Sequence, residues 1–232
     1  MSLTYAAARA LLKPLVDRQI HIRAEGADNV PREGPALVVC NHRSVVDPFV
    51  LGSVLERPVH FVAAPWMGAV PGLRELLSWM GILVLPSADR AGGLVRLGRR
   101  ELARGALLAI FPEGEPPTLA RHAHDALAPF RPGAARLILG AGIPDLAIVP
   151  AALVAGPERA ALRLPGEWVH RYDPQNSLYG TEYIELLAYD VVTVRFGRPF
   201  AFDLPAAPQT ANGRAARITA HLEAAIGSLL RD

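Results

Sequence analysis

A chain of 232 residues, 51% hydrophobic and 20% charged, can bury a sizeable core and falls within the size range of one α/β domain. Its 24 cationic side chains against 22 anionic ones leave a formal charge of +2, too small for a protein that binds nucleic acid through bulk charge. The lone cysteine, Cys40, excludes an intramolecular disulfide and a multi-cysteine metal site, and it fits a reducing, cytoplasmic compartment.

The first 19 residues suggest an amphipathic helix, ahead of one domain running from residue 20 to 232. Leu3, Ala7, Leu11 and Leu15 share one face, with Arg9 and Lys13 on another, a pattern that suits an anionic lipid interface and packing onto a sheet equally well. Arg9, Lys13 and Asp17 interrupt what a secretory signal would need as a clean apolar stretch. The strongest apolar run, Leu76 to Ala88, holds a glycine and a proline and falls short of the roughly 18 residues that a span requires. Any membrane contact is therefore expected to be peripheral.

Further along, short apolar runs bounded by glycine, proline or charge predict strands at Ile20 to Gly26, Ala36 to Cys40, Val59 to Ala63, Gly81 to Leu85, Ala106 to Phe111, Leu146 to Leu153 and Val191 to Phe196. Between most of them lie helical stretches: Val45 to Arg57, Pro71 to Met80, Gly92 to Arg104, Gly133 to Gly142 and, closing the chain, about Thr210 to Arg231. The alternation predicts an α/β fold on one central, mostly parallel or mixed sheet of about seven strands flanked by helices. Glu115 to Pro132 and Gly156 to Gly180 read as long irregular segments, of the kind that serve as lids or binding loops.

Three polar clusters follow predicted strands: Asn41 and His42, then Asp89 and Arg90, then Glu113 and Gly114. Ligands of open α/β sheets bind beyond the carboxyl ends of the strands, so parallel pairing would bring these clusters together. Near neutral pH a histidine can take a proton from a hydroxyl, and an aspartate on its other ring nitrogen would fix the tautomer. His42 and Asp47 have the spacing for that pairing. Asp47 before Pro48 is equally a helix N-cap, and Ser44 with Asp47 matches a capping box, so the turn alone leaves both readings open. Arg90 near a helix start suits a phosphate or carboxylate, or is a solvated loop residue. Glu113, in a Pro-Gly turn, either faces the crevice or is an ordinary turn residue.

Taken together, these residues resemble the glycerolipid acyltransferase family, which includes the lysophosphatidic acid acyltransferases. The Asn-His-x4-Asp block is matched by Asn41, His42 and Asp47, with Arg43 and Ser44 after the histidine. The Phe-Pro-Glu-Gly block is matched by Phe111, Pro112, Glu113 and Gly114. Gly133, Ala134 and Leu137 look like the family's Gly-Ala-x-x-Leu helix, and Val149 and Pro150 like its Val-Pro strand. The resemblance covers most of the chain from about Ile20 to Pro199 and implies a glycerol-3-phosphate acyltransferase-like fold. It implies transfer of a fatty acyl group from acyl-CoA or acyl-ACP to the hydroxyl of a lysophospholipid such as 1-acyl-glycerol-3-phosphate, a step of phospholipid synthesis at the inner face of a membrane. His42 is then the general base and Asp47 orients it. Asn41, Arg43, Ser44, Arg90, Glu113 and Gly114 fall in the substrate-binding blocks. No metal or bound cofactor is implied; the partners are the lipid acceptor and the thioester, with acyl carrier protein as one form of donor.

One departure bears on the acceptor. Glu115 and Pro116 stand where the family usually has threonine and arginine, so an anion and a proline replace a cation; Arg121 and Arg131 are the nearby alternatives. Acyl transfer to a non-phospholipid alcohol or amine, and lipid binding without catalysis, are the competing readings. Cys40, two residues before His42, suggests a covalent acyl-cysteine route as a further alternative. His122, His124 and Asp125 are close in sequence but lack further ligands at metal-site spacing. No Gly-x-Ser-x-Gly turn supports a serine hydrolase.

Overall fold

The uninterrupted apolar run ALVVC forms strand β2 (Ala36–Cys40), and all five of its residues are buried. A strand covered on both faces needs no polar alternation, and β2 is the middle strand of a seven-stranded sheet of order β1-β9-β6-β2-β5-β3-β4. The structure is a computed structural model that describes residues 10, 13–14, 16–86, 90–114, 126–172, 182–202 and 210–231. The remaining sheet strands are β1 (His21–Glu25), β3 (Val59–Ala63), β4 (Ile82–Val84), β5 (Leu107–Ile110), β6 (Ala147–Ala155) and β9 (Val191–Phe196). β2 is parallel to β5 and β6, and β5 to β3 and β3 to β4. β9 is antiparallel to β6 and parallel to β1, which makes the sheet mixed.

Successive β2 side chains enter opposite layers. Val38 and Cys40 pack with Val50 and Leu51 of helix α1 (Asp47–Val54), on the side where α2 (Leu73–Trp79) contributes Leu77. Leu37 and Val39 pack on the other side against α3 (Arg90–Leu102), α4 (Gly133–Ala141) and α6 (Ala211–Arg231). Pro150 sits inside β6, although a proline cannot donate to a ladder. Its place explains this: regular pairing with β9 starts one residue later, at Ala151 opposite Phe196, and resumes only as an isolated bridge between Ile148 and Phe200. The missing amide falls in that gap, and the Pro150 carbonyl accepts from Gly197 N at 2.8 Å.

One expectation fails. Residues 156–180 are not an irregular loop: they hold β7 (Glu158–Pro165) and α5 (Gly166–Tyr172), with 173–180 outside the described residues. β7 pairs antiparallel with β8 (Tyr183–Tyr189) in a second, two-stranded sheet, with a register shift between Ala160 and Leu162. Arginines at Arg159 and Arg163 disguise the strand; Arg163 faces Glu185 across the ladder at 2.7 Å and Arg159 reaches Asp190 at 3.0 Å. Of the other long segment, 126–132 is irregular and 115–125 lies outside the described residues. In the N-terminal segment residues 16–19 are helical and Lys13 bonds Asp17 at 2.7 Å, while Leu3, Ala7, Leu11 and Leu15 all lie outside the described residues. Among the described residues no helix is long and apolar enough to cross a membrane.

Gly26, after β1, has φ 69° and an added Cβ would stand 2.4 Å from the Phe196 carbonyl oxygen. Gly26→Ala should therefore destabilise the fold by about 1–3 kcal/mol, read as a lower urea midpoint at unchanged slope. An unchanged midpoint would show that this β1–β9 junction has room to move.

Candidate active site

β2 stops at Cys40, and the register that pairs Val39 with Ile110 carries on to set His42 beside Glu113. There the His42 backbone N–H donates to Glu113 Oε1 at 2.9 Å, so a side chain extends the β2–β5 pairing beyond the last ladder bond. The parallel strands thus bring two of the three polar clusters together at one edge of the sheet. The third cluster stands farther off: β4 is three strand spacings from β2, on the order of 14 Å. Arg90 opens α3 beyond it, but Asp89 and the Arg90 side chain lie outside the described residues.

The chain after His42 turns back on itself into α1. Asp47 N donates to Ser44 O at 3.1 Å, and Pro48 at the helix start has no amide to satisfy. The Asp47 carboxylate points back into the turn and is fully buried. It accepts four hydrogen bonds. Oδ2 takes Arg43 N at 2.6 Å, Ser44 N at 2.8 Å and His42 Nδ1 at 2.7 Å, and Oδ1 takes the Tyr189 hydroxyl at 2.5 Å. The capping readings do not hold: the residue before the helix is Val46, with no side-chain cap bond, Asp47 is the first helical residue, and Ser44 Oγ accepts from Val46 N rather than from Asp47 N.

An ionised carboxylate only accepts, so its contact with Nδ1 fixes the proton there and leaves the lone pair on His42 Nε2. The imidazole stacks on Phe111 at 4.2 Å and 15°, which sets its plane, and Phe111 in turn stacks on Phe61 at 6.2 Å. The side chain of His42 is 18% exposed against 0% for Asp47, and among the described residues Nε2 has no hydrogen-bond partner. One ring nitrogen is thus held by Asp47, and the other is left without a protein partner among the described residues.

The neighbours predicted as substrate-binding point elsewhere. Asn41 is buried and bonds the Leu153 backbone twice, accepting from N at 2.7 Å and donating to O at 3.1 Å. Ser44 Oγ donates to Leu187 O at 2.5 Å and accepts from Val46 N at 3.2 Å. Arg43 is buried and grips Glu158 through Nε at 2.9 Å and Nη2 at 2.7 Å. All three tie the turn to β6, β7 and β8. Gly114 has φ 67°, and its Cβ position is taken by the side chain of Arg131, whose Cδ would lie 2.7 Å away. Arg131 N donates to Pro112 O at 2.8 Å, so that exposed arginine is fastened to the Glu113–Gly114 turn.

Cys40 is fully buried, and its thiol is pushed well above its ordinary range by burial first and then by the carboxylates of Asp47 and Glu113. A thiol held protonated out of reach of solvent opposes the acyl-cysteine route. The Tyr189 hydroxyl is likewise pushed up, by burial and by its contact with Asp47, so it keeps its proton and donates. Sequence reading passed over Tyr189, Glu158 and Leu187. YIELLAY has strand composition, yet nothing linear connects position 189 to position 47 across 142 residues. His122, His124 and Asp125 lie outside the described residues, as does Arg121.

The family model described as Acyltransferase matches residues 21–154. Among curated proteins, an uncharacterised protein of Mycobacterium tuberculosis is 32% identical over 117 residues, covering 47% of this chain and 30% of that one. The 1-acyl-sn-glycerol-3-phosphate acyltransferase alpha of Ovis aries is 27% identical over 139 residues, 56% of this chain and 45% of the sheep enzyme. The chain thus spans less than half the length of these curated relatives. The crystal structure of the 1-acyl-sn-glycerophosphate acyltransferase from Thermotoga maritima shares the fold with TM-score 0.58 at 13% identity, over 97% of this chain and 82% of the other.

Because Cys40 and Tyr189 hold their protons more tightly folded than unfolded, the unfolded chain releases protons first as pH rises. Stability should fall above about pH 8.5 for the thiol and about pH 10 for the phenol. Cys40→Ala should flatten the first part of that decline in urea midpoints measured from neutral to alkaline pH; parallel curves for the two proteins would contradict this.

Proposed function

The chain belongs to the Acyltransferase family, and from that premise we propose that it moves a fatty acyl group from acyl-CoA or acyl-ACP to the hydroxyl of a lysophospholipid such as 1-acyl-glycerol-3-phosphate. The observation that carries this reading is the 2.7 Å contact between His42 Nδ1 and a buried Asp47, with Nε2 left to face a substrate. In the reaction, Nε2 takes the proton of the acceptor hydroxyl as its oxygen attacks the thioester carbonyl carbon. Asp47 stabilises the imidazolium so formed. The tetrahedral intermediate collapses by breaking the carbon–sulfur bond, and the departing thiolate takes the proton from His42. An ester and a thiol result, and His42 is again neutral.

Glu113 serves the same site by holding the His42 turn against β5, and Gly114 leaves the space that the Arg131 side chain fills. We assign Arg131 to the charged head group of the acceptor: it is exposed and fastened to this turn, where Glu115 and Pro116 supply no cation. Arg90 is a second acceptor-binding candidate from the β4 side. A lipid acceptor places the enzyme on a membrane surface, peripherally and on the cytoplasmic side, with the apolar N-terminal face of Leu3, Ala7, Leu11 and Leu15 as its contact. Glu115 and Pro116 also motivate the second reading, acyl transfer to an uncharged alcohol or an amine by the same base.

In a mass-spectrometric assay with lysophosphatidic acid and long-chain acyl-CoA or acyl-ACP, His42→Ala should lose about 10²- to 10⁴-fold in rate. Near wild-type turnover by that variant would sink the mechanism. Arg131→Gln should raise KM for lysophosphatidic acid by about tenfold, the size expected for a lost charge-assisted bond, and leave a neutral monoacylglycerol unaffected. Efficient turnover of the neutral acceptor alone by the wild type would favour the second reading.

A further inference from the structure

The Asp47 carboxylate has two oxygens in different settings. Oδ2 meets three donors, all from residues 42–44 of its own turn. Oδ1 meets the hydroxyl of Tyr189, from the end of β8 in the second sheet. Rotation of the carboxylate about its bond to Cβ would slide Oδ2 off the imidazole; the turn opposes it through one oxygen only, and a donor fixed on Oδ1 opposes it through the other. Tyr189 is suited to fix it: its exposure is 0%, and it belongs to the same core as Val38, Cys40 and Leu51. Two further ties hold the second sheet to the same turn, Ser44 Oγ to Leu187 O and Arg43 to Glu158.

Resting on the function proposed above, we infer that Tyr189 is a positioning residue: its hydroxyl locks the Asp47 carboxylate and disperses part of its charge, which sets both the aim and the basicity of His42. Asp47 faces few other titratable groups. Cys40 lies beneath it on β2, Glu113 reaches the His42 amide from the β5 turn, and Arg43 and Glu158 form a pair beside it. None of these bonds Oδ1, so removing the Tyr189 hydroxyl leaves that oxygen without its donor. The charge then concentrates on a carboxylate that touches the imidazole, and the protonated form of His42 is favoured. The sign follows: the acid limb of the rate profile, set by loss of the neutral imidazole, moves to higher pH.

The test compares full-length wild type, Tyr189→Phe, and protein carrying 3-fluorotyrosine at position 189 alone, with His42→Ala as the reference for the base. For Tyr189→Phe the expected result is a kcat lower by about tenfold with KM for both substrates little changed, and an acid limb displaced upward. Fluorotyrosine, a stronger donor of nearly the same size, should displace the limb downward, and it carries the test should the phenylalanine variant fail to fold. An acid limb that stays at its wild-type position in the variants that fold would overturn the inference, whatever happens to the melting temperature, because a loss of stability without a change in the charge beside His42 is not what the inference requires. If His42→Ala itself turns over like wild type, the proposed function fails; if only the Tyr189 variants behave like wild type, the inference alone fails.

Discussion

A buried carboxylate is the constraint around which this molecule is arranged. Asp47 is fully inaccessible to solvent, and an unpaired charge so placed costs several kcal/mol. Four donors offset that cost: two amides and an imidazole from residues 42–44 of the turn after β2, and a phenol brought in from the second sheet. Satisfying one oxygen pair therefore fixes the turn, the start of α1 and the seat of β8 together. The same bonds leave His42 with a defined tautomer and an outward-facing nitrogen, so folding and chemistry depend on one group.

The sheet supplies the second half of the site by register. Because β2 and β5 are parallel neighbours, their ends coincide, and the Glu113 side chain can accept the His42 amide where the backbone ladder has run out. Phe111, the residue just past β5, supplies the ring against which the imidazole lies. Gly114 completes that turn with a backbone conformation that costs other residues strain, and the space beside it admits Arg131. A chain that reversed the order of β5 and β3 would keep every residue and lose the site.

Most of the central sheet was legible because its strands are short apolar runs between glycine and proline turns, and all seven predicted strands form within a residue or two of their expected ends. The pair His42 and Asp47 was legible as a spacing, though the turn by itself could not separate a histidine partner from a cap; in the structure the carboxylate holds the imidazole and two amides of its own turn, and the helix begins after Val46 without a side-chain cap. The second sheet escaped notice since β7 interleaves arginines with leucines and β8 follows a long segment without periodicity. Its contribution to the site is tertiary. Tyr189, Leu187 and Glu158 reach the turn across more than a hundred residues, a distance over which no local pattern acts. Asn41, Arg43 and Ser44 show what linear reading cannot supply: their side chains hold the turn to strands β6, β7 and β8.

Acyl transfer by this site depends on the lone pair of His42 Nε2. ¹⁵N NMR of the histidine side chains, with His42 assigned through the spectrum of His42→Gln, reads the tautomer directly. The expected result is a neutral His42 protonated at Nδ1, with the Nε2 resonance in the unprotonated range. A neutral ring protonated at Nε2 would contradict it, because the nitrogen facing the substrate would then have no lone pair with which to take the hydroxyl proton.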